Sequence, residues 1–222
     1  MLTRRSAFFV SAVVVLFVLA GCSSGGNSSA LGIHGPQAGA IAPVGSQPQT
    51  VMGFDEEDDH RHFAVTSQTF ENNTRVPLSM VFNSFGCTGG NRSPQLTWHG
   101  APDDTRTFTV LMFDVTASFT HWGMYNIPRT TTSLPENAGV PGSAFGPQIL
   151  NDFFINQQYD GPCPPPGLVH HYVITVYALD NSLTLPAPLG TFPPFPETLI
   201  YALLRDRAHI LGTGSITGLF SS

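Results

Sequence analysis

The sequence contains no lysine, and its positive charge comes from nine arginines against 15 acidic residues, which gives a formal net charge of −6. The arginines are scattered and form no basic stripe that would follow a phosphate backbone, so we exclude nucleic acid as a partner. The sequence also lacks Gly-x-Ser-x-Gly and Ser-x-x-Lys, the motifs that carry the nucleophilic serine of two hydrolase classes. No such motif therefore marks the chain as an enzyme.

Helix-forming patterns are scarce, whereas glycine and proline are abundant, with 22 and 19 residues in a chain of 222. This composition indicates many turns between short extended segments. The connections are too short for βαβ crossovers, so neighbouring strands are expected to be antiparallel. The sequence predicts an all-β fold, mainly antiparallel, with a single domain of ordinary size. One short helix is expected near the C-terminus, with Pro196 at its start.

The first residues have the pattern of a secretion signal. Arg4 and Arg5 precede an apolar run over residues 7–19, which is short for a permanent membrane helix. The run ends in Leu-Ala-Gly-Cys, which resembles the bacterial lipobox, so Cys22 is expected to receive a lipid anchor. Residues 1–21 are thus predicted to be a lipoprotein signal peptide.

Residues 22–60 follow as the lipidated cysteine and a flexible tether, because Gly, Ser, Ala, Pro, Gln and Asn dominate their composition. About 30 such residues have a root-mean-square reach of roughly 30 Å, enough to hold a domain away from a membrane surface. The folded ligand-binding domain is predicted to occupy residues 61–222.

Within the domain, alternating or continuous apolar residues predict a series of strands. The predicted strands cover residues 63–70, 95–98, 107–115 and 121–127, a segment that begins at His170, and residues 209–220. The segment 149–158 is compatible with a loop or a short helix.

The stretch from Tyr159 to Asp180 joins a rigid loop to one of these strands. Gly161 tolerates a positive φ, and four prolines follow it, so the first half is excluded from the interior of a sheet. The second half is rich in β-branched and aromatic residues and predicts a strand buried on both faces. His170 lies where the loop becomes the strand, which is a common position for a binding group.

Three polar side chains lie at the ends of otherwise apolar strands. Asp114 ends one strand, and His121 and His170 each begin another. Each of them alone is more often a satisfied structural residue. Because burial without a partner would be costly, each either reaches solvent at the end of the sheet or finds a partner there, and the three ends are able to converge. Tyr172 lies two residues after His170 and therefore on the same side of its strand.

Four segments of the sequence together resemble the phosphatidylethanolamine-binding protein family, in particular the bacterial branch named for its similarity to Raf kinase inhibitor protein. They are FGCTGGNRSPQLTW (residues 85–98), LMFDVTAS (111–118), HWGMYN (121–126) and YDGPCPPPGLVHHYVITVYALD (159–180). The resemblance runs from about Phe63 to Phe220 and implies a β-sandwich of the Greek-key type.

The resemblance also implies a small anion pocket that accepts phosphate-like head groups, with Asp114, His121 and His170 at the matching positions. Tyr172 would add a hydroxyl to it. The carboxylate would orient an imidazole and raise its basicity, so the cationic ring would face the ligand. Anion affinity is therefore expected to weaken as the pH rises through the histidine pKa.

This chain departs from the family pattern at the rim of the pocket. Where the family has Asp-Pro-Asp-x-Pro, the chain has Asp-Val-Thr-Ala-Ser over residues 114–118, and His171 stands where the family often has arginine. Cys87 and Cys163 both lie in loops that border the pocket in the family pattern, so an exported protein is expected to join them in a disulfide.

These patterns predict a membrane-tethered binding protein for small anionic ligands, such as phosphate or phospholipid head groups, which can also modulate a protein partner. It is expected to be no enzyme and to use no cofactor. It is expected to be exported and anchored to the outer face of the bacterial cytoplasmic membrane, or periplasmic.

A hydrolase with Thr120 or Cys163 as nucleophile is one alternative. A metal site of two histidines and one carboxylate is the other.

Overall fold

The structure is a computed structural model that describes residues 63–186 and 193–222, all within one compact unit, Asp55–Ser222. The predicted signal peptide, the lipidated Cys22 and the tether lie outside the described residues. The remaining predictions concern the folded domain and are compared with the structure below.

Strands form most of the regular structure, as predicted. They are β1 (Ala64–Thr66), β2 (Thr74–Arg75), β3 (Leu96–His99), β4 (Thr107–Asp114), β5 (Phe119–Pro128), β6 (Ser133–Leu134), β7 (His170–Leu179) and β8 (Ile210–Phe220). The α-helix found in the described residues is α1 (Pro196–Arg205), and a single 3₁₀ turn, Arg207–His209, connects it to β8. No helix in this part of the chain is long and apolar enough to cross a membrane.

The strands form two sheets that share one core. The smaller sheet has the order β1-β3-β6, and the larger has the order β2-β8-β7-β4-β5. All pairs are antiparallel except β2 and β8, which are parallel. Side chains from both sheets, such as Trp98 of β3 and Val110 of β4, are buried in the same apolar cluster. The predicted all-β, mainly antiparallel fold is therefore confirmed.

Helix α1 begins at Pro196, as the sequence predicts, because proline has no amide donor to lose at the first helical position. Its buried side chains Leu199, Ala202 and Leu203 recur at helical spacing and lie in a second apolar cluster with Leu111 of β4. This cluster covers the outer face of the larger sheet only in part. The prediction that the strand after His170 is buried on both faces is therefore too strong. One face of β7 is buried, whereas the other is exposed at His171, half-buried over Val173, Thr175 and Tyr177, and buried only at Leu179.

Side chains replace backbone partners in two segments, a strand that is shorter than predicted and a segment for which a loop or a short helix was left open. The strand predicted over residues 63–70 ends at Thr66, where the hydroxyl of Ser67 donates to the Gln95 carbonyl and accepts from the amide of Thr69. In the segment 149–158 the side chain of Asn151 accepts from the amide of Phe153, and the chain forms turns rather than a helix.

Candidate functional site

A cavity of about 180 Å³ lies at the end of the larger sheet where three strand ends meet. Backbone pairing brings them together, because Asp114 of β4 lies opposite Tyr172 of β7 and also opposite Phe119 of β5. The cavity is lined by Asp114, Ala117, Phe119, His121, Phe153, Cys163, Pro164, Pro165, His170 and Tyr172. All four residues predicted to bind a ligand therefore share one cavity, while their binding role stays a prediction.

Asp114 and His170 form a nearly buried pair. Nδ1 of His170 lies 2.6 Å from Oδ2 of Asp114. The other carboxylate oxygen accepts from the backbone amides of Thr116 and Ala117, at 2.9 and 3.2 Å. The turn after β4 thus holds the carboxylate, and the carboxylate holds the imidazole. Because Nδ1 is engaged, Nε2 of His170 is the ring nitrogen left for a ligand.

His121 is held by a different acceptor, the backbone carbonyl of Asp160, which lies 2.8 Å from its Nδ1. A carbonyl only accepts, so Nδ1 carries the proton and Nε2 is an acceptor while the ring is neutral. Burial lowers the pKa of His121 to about 4, although the Asp160 carbonyl and the charge of Asp114 act in the opposite direction. The expectation of an imidazole with raised basicity is therefore wrong for His121, which is neutral at pH 7.

The ring of Tyr172 lies between the two imidazoles, 5.1 Å from His121 and 6.3 Å from His170 between ring centroids. Its position on the same strand side as His170 follows from the two-residue period of β7. Burial raises the pKa of the Tyr172 phenol, and the negative charge of Asp114 adds to the effect. The hydroxyl therefore keeps its proton and can donate it in a hydrogen bond.

Asp160 is the centre of a hydrogen-bond network that the sequence did not indicate. Its side chain is 0% exposed, and its carboxylate oxygens accept from Asn91 at 2.9 Å, Asn151 at 2.8 Å and Gln158 at 2.6 Å. Asn91 comes from a distant loop, whereas Asn151 and Gln158 belong to the segment just before Asp160, and all three donors are amides, which carry no charge pattern along the chain. This network fixes the backbone carbonyl that orients His121.

The disulfide Cys87–Cys163 links the loop after Phe82 to the proline loop, which we define as residues 161–167. The two Cα atoms are 5.9 Å apart, and Cys163 forms part of the cavity wall. Gly161 does not adopt the positive φ that glycine tolerates. It is needed instead for close approach, since a Cβ there would collide with the carbonyl oxygen of Met80.

The structure also bears on the two alternatives, a metal site and a hydrolase with Thr120 or Cys163 as nucleophile. No group of three or more His, Cys, Asp and Glu side chains within residues 63–186 and 193–222 is placed to hold a metal ion. Cys163 is in the disulfide, and Thr120 precedes His121 in β5, so its side chain lies on the opposite face of the strand. His171 likewise alternates with His170 and is exposed, outside the cavity.

The fold and the pocket place this chain among the β-sandwich binding proteins. The family model for phosphatidylethanolamine-binding protein matches residues 66–221. The chain belongs to the phosphatidylethanolamine-binding protein family.

Several relatives agree with this assignment. The UPF0098 protein YbcL of Escherichia coli is 41% identical over 128 residues, which cover 53% of this chain and 68% of YbcL. Its crystal structure, described as a new member of the mammalian PEBP family, superposes with a TM-score of 0.64 at 34% identity and covers 72% of this chain and 99% of that one. LppC of Mycobacterium tuberculosis, a candidate lipoprotein, is 25% identical over 214 residues, which cover 95% of this chain and 96% of LppC.

Proposed function

We propose that this protein binds a small oxyanion, such as phosphate or a phosphorylated head group, in the cavity between His121 and His170. The observation that carries the proposal is the arrangement of the two imidazoles. Each has its Nδ1 tied to a protein acceptor, and each keeps Nε2 for a ligand. The cavity volume of about 180 Å³ suits a head group rather than a larger molecule, since pockets for drug-sized ligands measure roughly 300–1,000 Å³.

The charges around the cavity constrain the protonation state of the complex. No arginine of residues 63–186 and 193–222 lines it, whereas Asp114 does and Asp160 is buried next to His121. These carboxylates would therefore repel a fully ionised ligand unless the complex also took up a proton. The neutral His121 provides the site for this proton, because an anion beside the ring favours its charged form. Binding is accordingly coupled to proton uptake.

Titration calorimetry with sulfate tests this proposal, because sulfate keeps the same charge between pH 5.5 and 7.5 and any pH dependence then belongs to the protein. The affinity is expected to fall as the pH rises, by about tenfold per pH unit where one full proton is taken up. His170→Ala is expected to lower the affinity at least about tenfold, in the range of a lost charge-assisted hydrogen bond. His171→Ala is the matched control and should bind sulfate like the wild type.

Two results would contradict the proposal. The first is sulfate affinity that does not change over this pH range, because histidine would then take no part in binding. The second is an equal loss in His170→Ala and His171→Ala, which would indicate a general effect on β7. Repeating the titration with phosphate shows whether a ligand that brings its own proton binds more tightly at neutral pH.

We also propose that the chain is exported and anchored through Cys22 to the outer face of the cytoplasmic membrane. The lipobox-like end of the signal pattern and the similarity to LppC over 95% of the chain support this. Cys22→Ser in the full-length chain is expected to shift the protein from the membrane fraction to the soluble fraction of the producing bacterium. Unchanged recovery in the membrane fraction would refute the lipid anchor.

A further inference from the structure

A separate groove lies on the outer face of the larger sheet, where helix α1 packs against it. Its volume is about 200 Å³. The sheet contributes Leu111 of β4 and Tyr177 of β7 to its wall, and α1 contributes Ile200, Leu203 and Leu204. We call it the helix groove, and its wall is mostly apolar.

The helix groove lies where the second apolar cluster is open to solvent. Leu111 and Leu203 belong to that cluster, and Tyr177 and Ile200 are only partly buried against it. Leu204 is 48% exposed, although leucine is among the residues that are most often buried. An apolar ligand in the groove would cover these side chains and remove their surface from water.

Arg207 brings a positive charge to the helix groove. It lies in the 3₁₀ turn after α1, lines the groove and is exposed. Within residues 63–186 and 193–222, no aspartate or glutamate lines the groove. The adjacent acid, Asp206, accepts from the guanidinium of Arg205 at 3.0 and 3.3 Å. The groove therefore combines an apolar wall with one cation, in a protein whose formal net charge is −6.

This combination selects the chemistry of a ligand. An arginine can bind a carboxylate through two parallel N–H···O bonds. One guanidinium balances one negative charge, so a singly charged head fits the groove better than a doubly ionised phosphate. The wall requires an apolar body on that head. Because an apolar cavity of about 150 Å³ can hold benzene, about 200 Å³ suits an acyl chain of roughly six to eight carbons.

We propose that the helix groove binds a medium-chain carboxylate, with its acyl chain between α1 and the outer face of the sheet and its carboxylate on Arg207. This site is independent of the proposed anion cavity. Tyr177 of the groove and Tyr172 of the cavity are five residues apart on β7, so their side chains lie on opposite faces of the sheet, roughly 16 Å apart along the strand.

Calorimetric titration of the full chain with hexanoate, octanoate and octanamide tests this proposal. Octanoate is expected to bind more tightly than hexanoate, by about fourfold for each added CH₂ group that leaves water. Octanamide has the same chain without the charge. It is expected to bind at least about tenfold more weakly than octanoate, in the range of a lost charge-assisted hydrogen bond.

Variants separate the contribution of the charge from that of the wall. Arg207→Gln is expected to remove the difference between octanoate and octanamide, because both ligands then meet an uncharged side chain. Arg205→Gln is the matched control, since it removes the same charge from the same end of α1 but does not line the groove. It should keep the wild-type difference. Leu204→Ser is expected to weaken the binding of both ligands by similar factors, because it shortens the wall that contacts the chain.

Saturating sulfate should leave the octanoate affinity unchanged, because the two sites are separate. Displacement of octanoate by sulfate would overturn the proposal and place octanoate in the anion cavity. An equal loss of octanoate affinity in Arg205→Gln and Arg207→Gln would also overturn it, since only the net charge would then matter. A wild-type dimer that dissociates in Leu204→Ser, without any binding of octanoate, would assign the groove to a second copy of the chain instead.

Discussion

Replacing Cys87 and Cys163 together by serine is expected to lower the free energy of unfolding by about 4 kcal/mol, the value for a loop of this length in the chain-entropy description. The two cysteines are 76 residues apart in sequence, so the disulfide closes a long loop. Reversible urea unfolding of the wild-type and doubly substituted proteins, followed by circular dichroism, measures the difference. The same loss is expected when the wild type is unfolded with a reductant present.

The doubly substituted protein is the control for the reductant, which should not change its stability. A loss below about 1 kcal/mol would contradict the entropic account. It would mean that residual structure already restricts the unfolded chain without the disulfide. In the folded state the proline loop is also held by hydrogen bonds, because the amide of Phe82 donates to the Pro162 carbonyl and the amide of Gly161 donates to the side chain of Asn91.

Asp160→Asn is expected to destabilise the protein by about 3 kcal/mol, as is typical when a buried charged acceptor is lost. The new side-chain amide has the size of the carboxylate, but its NH₂ group would face either Asn151 or the pair Asn91 and Gln158, depending on which oxygen it replaces. At least one donor would then be buried without an acceptor. Urea unfolding at pH 7 gives the change in free energy.

The matched control is Asp152→Asn, which makes the same chemical change in the same loop region. The carboxylate of Asp152 accepts from the amide of Thr120, and the amide oxygen of asparagine can accept this bond equally well. A loss below about 1 kcal/mol is expected there. If the two substitutions were equally destabilising, the cost would come from the loss of charge in this region and not from the amide network around Asp160.

Much of the fold could be predicted from the sequence because its signals are local. The runs that became β4 and β5 are apolar over most of their length, and Pro196 followed by apolar residues at helical spacing predicted α1. Even so, β1 is shorter than predicted. The hydroxyl of Ser67 takes the place of a backbone partner. The residue pattern does not show whether the strand ends there or continues to residue 70.

The meeting of Asp114 and His170 could also be predicted, since charged groups at the ends of buried strands need either solvent or one another. The protonation state and the tautomer of His121 could not be predicted from the sequence. Its low pKa results from burial, and its tautomer results from the carbonyl of Asp160, 39 residues away in the sequence. The packing of Phe153 against Phe82 and Phe119 was missed for a similar reason, because the three residues come from separate segments that no periodicity connects.

The sequence by itself thus determined the family, the sheet-forming segments, the helix and the residues that meet at the sheet end. Each of these depends on residue type and spacing along the chain. Only the tertiary structure decided which imidazole is paired with a carboxylate, which one is neutral, and which aromatic rings line the cavity. These properties depend on burial depth and on side chains brought together from distant loops, which are set when the sheets and loops pack.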